Sequence, residues 1–146
     1  MFVESLQNYL ANDPGVISVL GTPSTRGDST TGIFPTAAIG SPNAPYLVMS
    51  QVSGSPQTVN MQGSDNLINE RWRFSCMGSD YKQAKTLAKY VSLALYSLFG
   101  PQPVGKNYGQ GSWKRSEVDT AEPITHGVIF TTHVDFEFLY QDNDVT

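Results

Sequence analysis

The chain has 146 residues, a length that suits one domain rather than two. Apolar residues make up 39% and charged residues 15%, enough for one core but little charge for a free-standing surface. A net charge of −4 and a single cysteine, Cys76, argue against general affinity for nucleic acid or acidic membranes and exclude a disulfide within the chain, as suits a reducing compartment.

Met1-Phe2-Val3-Glu4 lacks the basic region and apolar run of a signal peptide, and no apolar stretch is long enough to span a bilayer, so the chain reads as soluble and intracellular. Residues 2–11 predict a short amphipathic helix with Phe2, Leu6, Tyr9 and Leu10 near one stripe. Asn12-Asp13-Pro14-Gly15 stops it with turn chemistry, and residues 16–20 read as a brief apolar segment of one further turn. Residues 21–45 are rich in Ser, Thr, Gly and Pro. Their few apolar side chains, Ile33, Phe34, Ala37, Ala38 and Ile39, predict a long polar loop that buries little and precedes the sheet.

Residues 46–52 predict a strand, bounded by Pro45 and by Ser53-Gly54-Ser55-Pro56. Residues 66–76 predict a second, in which Ile68, Trp72, Phe74 and Cys76 alternate with Asn69, Arg71, Arg73 and Ser75. Glu70 interrupts the apolar side, so pairing is expected to start after it. Residues 80–98 predict the main helix: Ala84, Leu87, Ala88, Val91, Leu95 and Leu98 follow the 3.6 period. Asp80 and Gln83 form its capping box, with Ser79 a competing cap, and Gly100-Pro101 ends it. A Gly/Pro loop over 101–111 leads to a short strand at 113–119. Residues 125–140 predict the last strand. There Phe130, Thr132, Val134, Phe136, Phe138 and Tyr140 face one way, and Thr131, His133, Asp135 and Glu137 the other. The last six residues are expected to fray. The elements add up to one α+β domain over residues 1–146: a mainly antiparallel four-stranded sheet with one long and one short helix packed against it.

Catalytic chemistry is hard to place. His126 and His133 fall on opposite faces by parity with no Cys or third His beside them, so no metal site is expected. Cys76 lies mid-strand on the apolar side, the place of an inert core thiol. Asp135 and Glu137 share a strand face and could form a paired-carboxylate site, although a solvated acidic face is the simpler reading. Residues 105–111 lack the Lys-Ser/Thr that follows a phosphate-binding loop. Arg26-Gly27-Asp28 is a chance tripeptide. No catalytic residue, cofactor or metal is expected.

Charge distribution is more telling. From Ser116 onward there are seven acids and no Lys or Arg, while Arg71, Arg73, Lys82, Lys85 and Lys89 lie in the middle of the chain. The basic residues lack the interleaved aromatics of a nucleic-acid reader, because Trp72 and Phe74 face the other way. Arginines answering the acids of a neighbouring subunit are the expected alternative.

Several segments, in order along the chain, carry a family resemblance. They are the N-terminal helix with Val16-Ile17 and Leu20-Gly21; Ile33-Phe34-Pro35; and Pro45-Tyr46-Leu47-Val48-Met49-Ser50-Gln51-Val52-Ser53-Gly54. Next come Arg71-Trp72-Arg73-Phe74-Ser75-Cys76 and Tyr81, Ala84, Leu87-Ala88 and Leu95. The last are Glu122-Pro123-Ile124-Thr125-His126-Gly127 and Val134-Asp135-Phe136-Glu137-Phe138. Together they resemble the tail terminators, or tail-completion proteins, of long-tailed bacteriophages. The sequence departs from that pattern at Gly32, where the family often has Arg, and in a longer, more polar loop before Ile33.

The resemblance implies a structural virion protein, not an enzyme. Such a protein forms a homo-oligomeric, hexameric ring that caps the tail tube, ends its polymerisation and offers a surface to the head–tail connector. DNA passes through without specific binding, and no membrane is involved. The protein would be made in the host bacterial cytoplasm and end in the virion tail. Another head–tail connector or minor tail protein is the alternative, and a small binding module or enzyme the competing class. Arg71, Arg73, His133, Asp135 and Glu137 are the expected oligomer or channel face.

Overall fold

The computed structural model describes residues 2–26, 30–35, 44–57, 67–96, 107–124 and 127–142. Among them are four helical segments, α1 (Phe2–Ala11), α2 (Pro14–Leu20), α3 (Pro23–Arg26) and α4 (Tyr81–Tyr96), and five strands, β1 (Ile33–Pro35), β2 (Tyr46–Gln57), β3 (Leu67–Gly78), β4 (Asn107–Ile124) and β5 (Gly127–Asp142). The strands make one sheet in the order β1-β2-β3-β5-β4. All neighbours pair antiparallel except β1 and β2, which are parallel. The domain is thus α+β with a five-stranded mixed sheet, and the expected four-stranded sheet with two helices is corrected on both counts.

The extra strand comes from the segment expected to be loop. Ile33 and Phe34 are apolar enough to bury, and both are buried, Ile33 beside Leu47 in register. Backbone pairing rather than apolar content holds the segment: Gln7 of α1 donates its side-chain amide to the Ile33 carbonyl at 3.0 Å, and Leu47 N–H donates to the Gly32 carbonyl at 2.7 Å. Arg26 reinforces the approach by donating to the carbonyls of Leu20, at 3.0 Å, and of Pro45. Its guanidinium lies against Gly32, which has φ +79°. A side chain there would be strained and would meet Arg26 at 2.8 Å, so the Arg that the resemblance favours at this position does not fit.

Of the two helical segments beyond those expected, α2 is a matter of capping. Asp13 accepts from Val16 N–H at 3.0 Å, and Pro14 takes the first turn, where a missing N–H costs nothing. The turn residues that end α1 therefore start α2, whose Val16 and Leu20 are buried.

α4 begins as its sequence predicts. Asp80 accepts from Gln83 N–H at 2.7 Å, but Gln83 reaches back to the N–H and hydroxyl of Ser79 rather than to Asp80, so both candidate caps are used. Ala84, Leu87, Ala88, Val91 and Leu95 bury one stripe on the sheet. Each large aliphatic contributes roughly 1.5–3 kcal/mol. Leu98 and Gly100-Pro101 lie outside the described residues.

The core sits between the helices and the β2-β3-β5 face. Phe74, Phe136 and Phe138 form its centre, Phe74 meeting each of the other two edge-on at 6.4 and 6.2 Å. Pairing of β3 begins at Leu67, not after Glu70. Glu70 is tolerated on the apolar side because it accepts the Trp72 indole N–H at 2.7 Å. β2 and β4 both outrun their expected ends, and β5 continues to Asp142, past the expected start of fraying. No helix among the described residues is long and apolar enough to cross a membrane.

Candidate functional site: the open face of the sheet

The helices cover one face of the sheet. Alternation along β3 and β5 sends Arg71, Arg73 and Ser75, and Thr131, His133, Asp135 and Glu137, to the other. The structure therefore brings all five expected site residues together on one face. β4 adds Trp113, opposite Glu137, and Val118, opposite His133.

Asp135 is the centre of this face, and it is not solvated: 1% of its side chain is exposed. Arg73 grips it with Nε at 2.9 Å and Nη2 at 3.2 Å, and Arg71 Nη2 adds a bond at 3.0 Å. Burial alone would push this carboxyl up. The Arg73 hydrogen bond and charge, helped by Ser116 and Arg71, hold it below the ordinary carboxylate range. The arginines that could have answered a neighbouring subunit are thus engaged within the chain, although 38% and 44% of their side chains remain exposed. Glu137 behaves alike. Burial raises its carboxyl, but Arg115 at 2.5 Å and Asn69 bring it below its usual value.

His133 bridges three strands. Its Nδ1 lies 2.9 Å from Ser75 Oγ on β3, and its Nε2 lies 3.3 Å from Thr120 Oγ1 on β4. Burial and then the Arg73 charge lower its pKa, so the neutral ring is favoured. A serine beside an imidazole invites a hydrolase reading. An activated serine needs its imidazole oriented by a third group, usually a carboxylate, and here a hydroxyl faces each ring nitrogen. The Asp135/Glu137 pair offers no general acid of raised pKa either, since both carboxyls are lowered.

Four of the seven acids from Ser116 onward, Glu117, Asp119, Asp135 and Glu137, are paired within the chain rather than left as an acidic patch. On the helix side, Lys85 of α4 reaches Glu117 at 2.6 Å and Asp119 at 3.1 Å, and Lys114 reaches Glu117 at 2.7 Å. The hydrogen bonds of Glu117 and Asp119 push the Lys85 ammonium pKa well up. On the open face, the guanidiniums of Arg71, Arg73 and Arg115 meet the carboxylates of Asp135 and Glu137, and Glu122 lies on the same face.

Sequence reasoning missed Trp113, Arg115 and Thr120. A bulge between Lys114 and Ser116 switches the parity of β4, so that Trp113 faces outward while Glu117 and Asp119 face α4. Arg115 sits at that bulge, its guanidinium 5.9 Å from the Trp113 ring centre. The available signal was the Lys114-Arg115 pair, which breaks the alternation between Trp113 and Val118.

Cys76 is fully buried, and burial pushes its thiol far up, as expected of an inert core residue. Among the described residues no three His, Cys, Asp or Glu side chains come together to hold a metal. His126, Gly27 and Asp28 lie outside the described residues.

The fold has a counterpart among solved structures. A chain from the virion of a native gene transfer agent particle matches with a TM-score of 0.64. The match covers 94% of this chain and 92% of that one at 14% sequence identity, so the likeness is one of fold. No family model matches the sequence, and neither does any curated protein.

Proposed function

We propose that this chain is a structural subunit of a phage-like virion, and within that class a tail terminator. As such it forms a ring, by expectation a hexamer, that caps the tail tube, stops its polymerisation and presents a surface to the head–tail connector. It is assembled in the bacterial cytoplasm, carried in the virion tail, and is not an enzyme. The observation that carries this reading is the agreement in fold, over nearly the full length of both chains, with a chain of a gene transfer agent virion. The ordered family resemblance of the sequence supports the narrower role.

The open face adds a physical argument. A channel for DNA must neither bind phosphates nor repel them strongly. A face whose carboxylates and guanidiniums satisfy one another meets that need better than a bare acidic strand would.

Native mass measurement and negative-stain imaging across a concentration series, with and without the cognate tube subunit, test the proposal. The expected result is a closed ring, either free or on tube ends, and tubes that stop growing when the protein is added. A monomer that leaves tube growth unchanged overturns it.

A further inference from the structure

α4 buries one stripe and leaves the opposite one bare. Ala84, Leu87, Ala88, Val91 and Leu95 face the sheet, while Lys82, Lys89, Leu93 and Tyr96 are exposed. Lys82, Lys89 and Tyr96 recur every seven residues, close to two whole helical turns, so they stand in one line about 21 Å long. Leu93 lies beside that line, one turn before Tyr96.

The line borders a groove of about 320 Å³ between α4 and β4, whose walls include Lys85, Lys89, Leu93, Tyr96 and Lys114. Its apolar end is held in place. Tyr96 is 56% exposed, yet its ring is set edge-on against Phe136 at 5.4 Å, and Leu93 beside it is 52% exposed. Two large apolar side chains one turn apart at a groove are anchor points of the kind a docked helix uses. The other end of the line is cationic. Lys85 and Lys114 are answered by Glu117 and Asp119, but Lys82 and Lys89 have no ion-pair partner among the described residues.

These lysines work against the helix that carries them. α4 contains no acid, and Lys82, Lys85 and Lys89 are three and four residues apart, a spacing at which like charges destabilise a helix. Line and groove together carry four ammoniums against the carboxylates of Glu117 and Asp119, a local positive excess on a chain whose net charge is −4. An acidic partner removes that cost. A second copy does not supply it. Among the described side chains Glu122 is the one carboxylate without a hydrogen-bond or ion-pair partner, and it stands alone on a strand.

We propose that the outer line of α4 is the docking site for an acidic amphipathic helix of a different protein. That helix lies along α4. Two of its carboxylates, seven residues apart, face Lys82 and Lys89, and a large apolar side chain enters the groove beside Leu93 and Tyr96. The contact needs only the surface of one subunit, so it stands whether or not rings close.

Fluorescence anisotropy with labelled synthetic helices tests it. One peptide carries glutamates at positions i and i+7 and leucines at i+11 and i+14, a second carries the same pattern in reverse order, since the helix can run either way, and a third is a scramble of the same composition. One ordered peptide should bind about tenfold more tightly than the scramble. Lys82→Glu, Lys89→Glu and Leu93→Ala alter exposed side chains, so they should melt like the wild type, and each should weaken that binding by about fivefold or more. A peptide with lysines in place of its glutamates should in turn bind the Lys82→Glu, Lys89→Glu double variant. Equal binding of ordered and scrambled peptides, or binding that the variants leave unchanged, overturns the contact. So does tighter binding of duplex DNA than of peptide at the same salt, which would make the row a phosphate site. Self-association of the wild type that Leu93→Ala abolishes overturns it as well, in favour of a contact between copies.

Discussion

Asp135 and His133 are neighbours on one strand face, yet they tie stability to pH in different windows. His133 is a base whose folded pKa lies below its ordinary 6.5, first through burial and then through Arg73. The unfolded chain takes the proton first, so this stability is full above about pH 6.5 and is lost as the pH falls through that value. Asp135 is an acid held below its ordinary 3.8, so its contribution is full above that value and is lost only as the pH falls further. The melting temperature of the wild type should therefore drop between about pH 7 and pH 5, and again below about pH 4. His133→Gln should flatten the first drop and keep the second; a variant profile parallel to the wild type would show that His133 is not its source. Asp135→Ala should cost about 2–3 kcal/mol at neutral pH. That is less than breaking a fully enclosed pair, because water reaches the arginines.

Among the elements, α4 and β3 supply much of the buried core, and Arg26 ties the approach to β1. Leu87→Ala removes a fully buried side chain and should cost roughly 2–5 kcal/mol. Trp72→Ala should cost as much, since it also strands the Glu70 carboxylate that accepts the indole N–H. The polar segment around residues 24–31 looked inert in sequence, and Ser24→Ala should indeed leave the melting point unchanged. Arg26→Ala should not: it removes the donor to two carbonyls and should cost roughly 1–3 kcal/mol. Thermal melts of the four variants decide this, and an Arg26→Ala midpoint equal to wild type would mean that β1 needs no clamp. The same contrast explains what was legible. α1, α4 and the middles of β2, β3 and β5 follow their own hydrophobic period, so residue spacing sufficed. β1 depends on a partner strand, on Gln7 and on Arg26, and α2 depends on one cap; neither has a period of its own. On the candidate face, parity placed Arg71, Arg73, His133, Asp135 and Glu137 together. It could not reveal that Asp135 is buried, nor that a bulge turns Trp113 outward beside Arg115.

At the scale of the whole molecule, charge is paired across segments that are far apart in sequence. Four acids of the last two strands, Glu117, Asp119, Asp135 and Glu137, are answered by Arg71 and Arg73 of β3, by Lys85 of α4 and by Lys114 and Arg115 of β4. On the open face, the guanidiniums of Arg71, Arg73 and Arg115 stand against the carboxylates of Glu122, Asp135 and Glu137, so the charges balance. If that face lines a channel through which DNA slides, its near-neutrality has to be maintained. Glu137→Lys tests this. It replaces a largely covered carboxylate with an ammonium beside Arg115, and leaves two positive charges in excess. The wild type should show negligible affinity for duplex DNA by fluorescence anisotropy at low salt. The variant should bind it, with log affinity falling against log salt at a slope of about −0.9 for each phosphate contacted. In particles, tails capped by the variant should form at normal length but release DNA slowly, since phosphates that adhere must be detached one after another. A variant that binds no DNA and supports normal release would mean that this face does not meet the nucleic acid. The charge pairing would then serve the fold of the subunit alone.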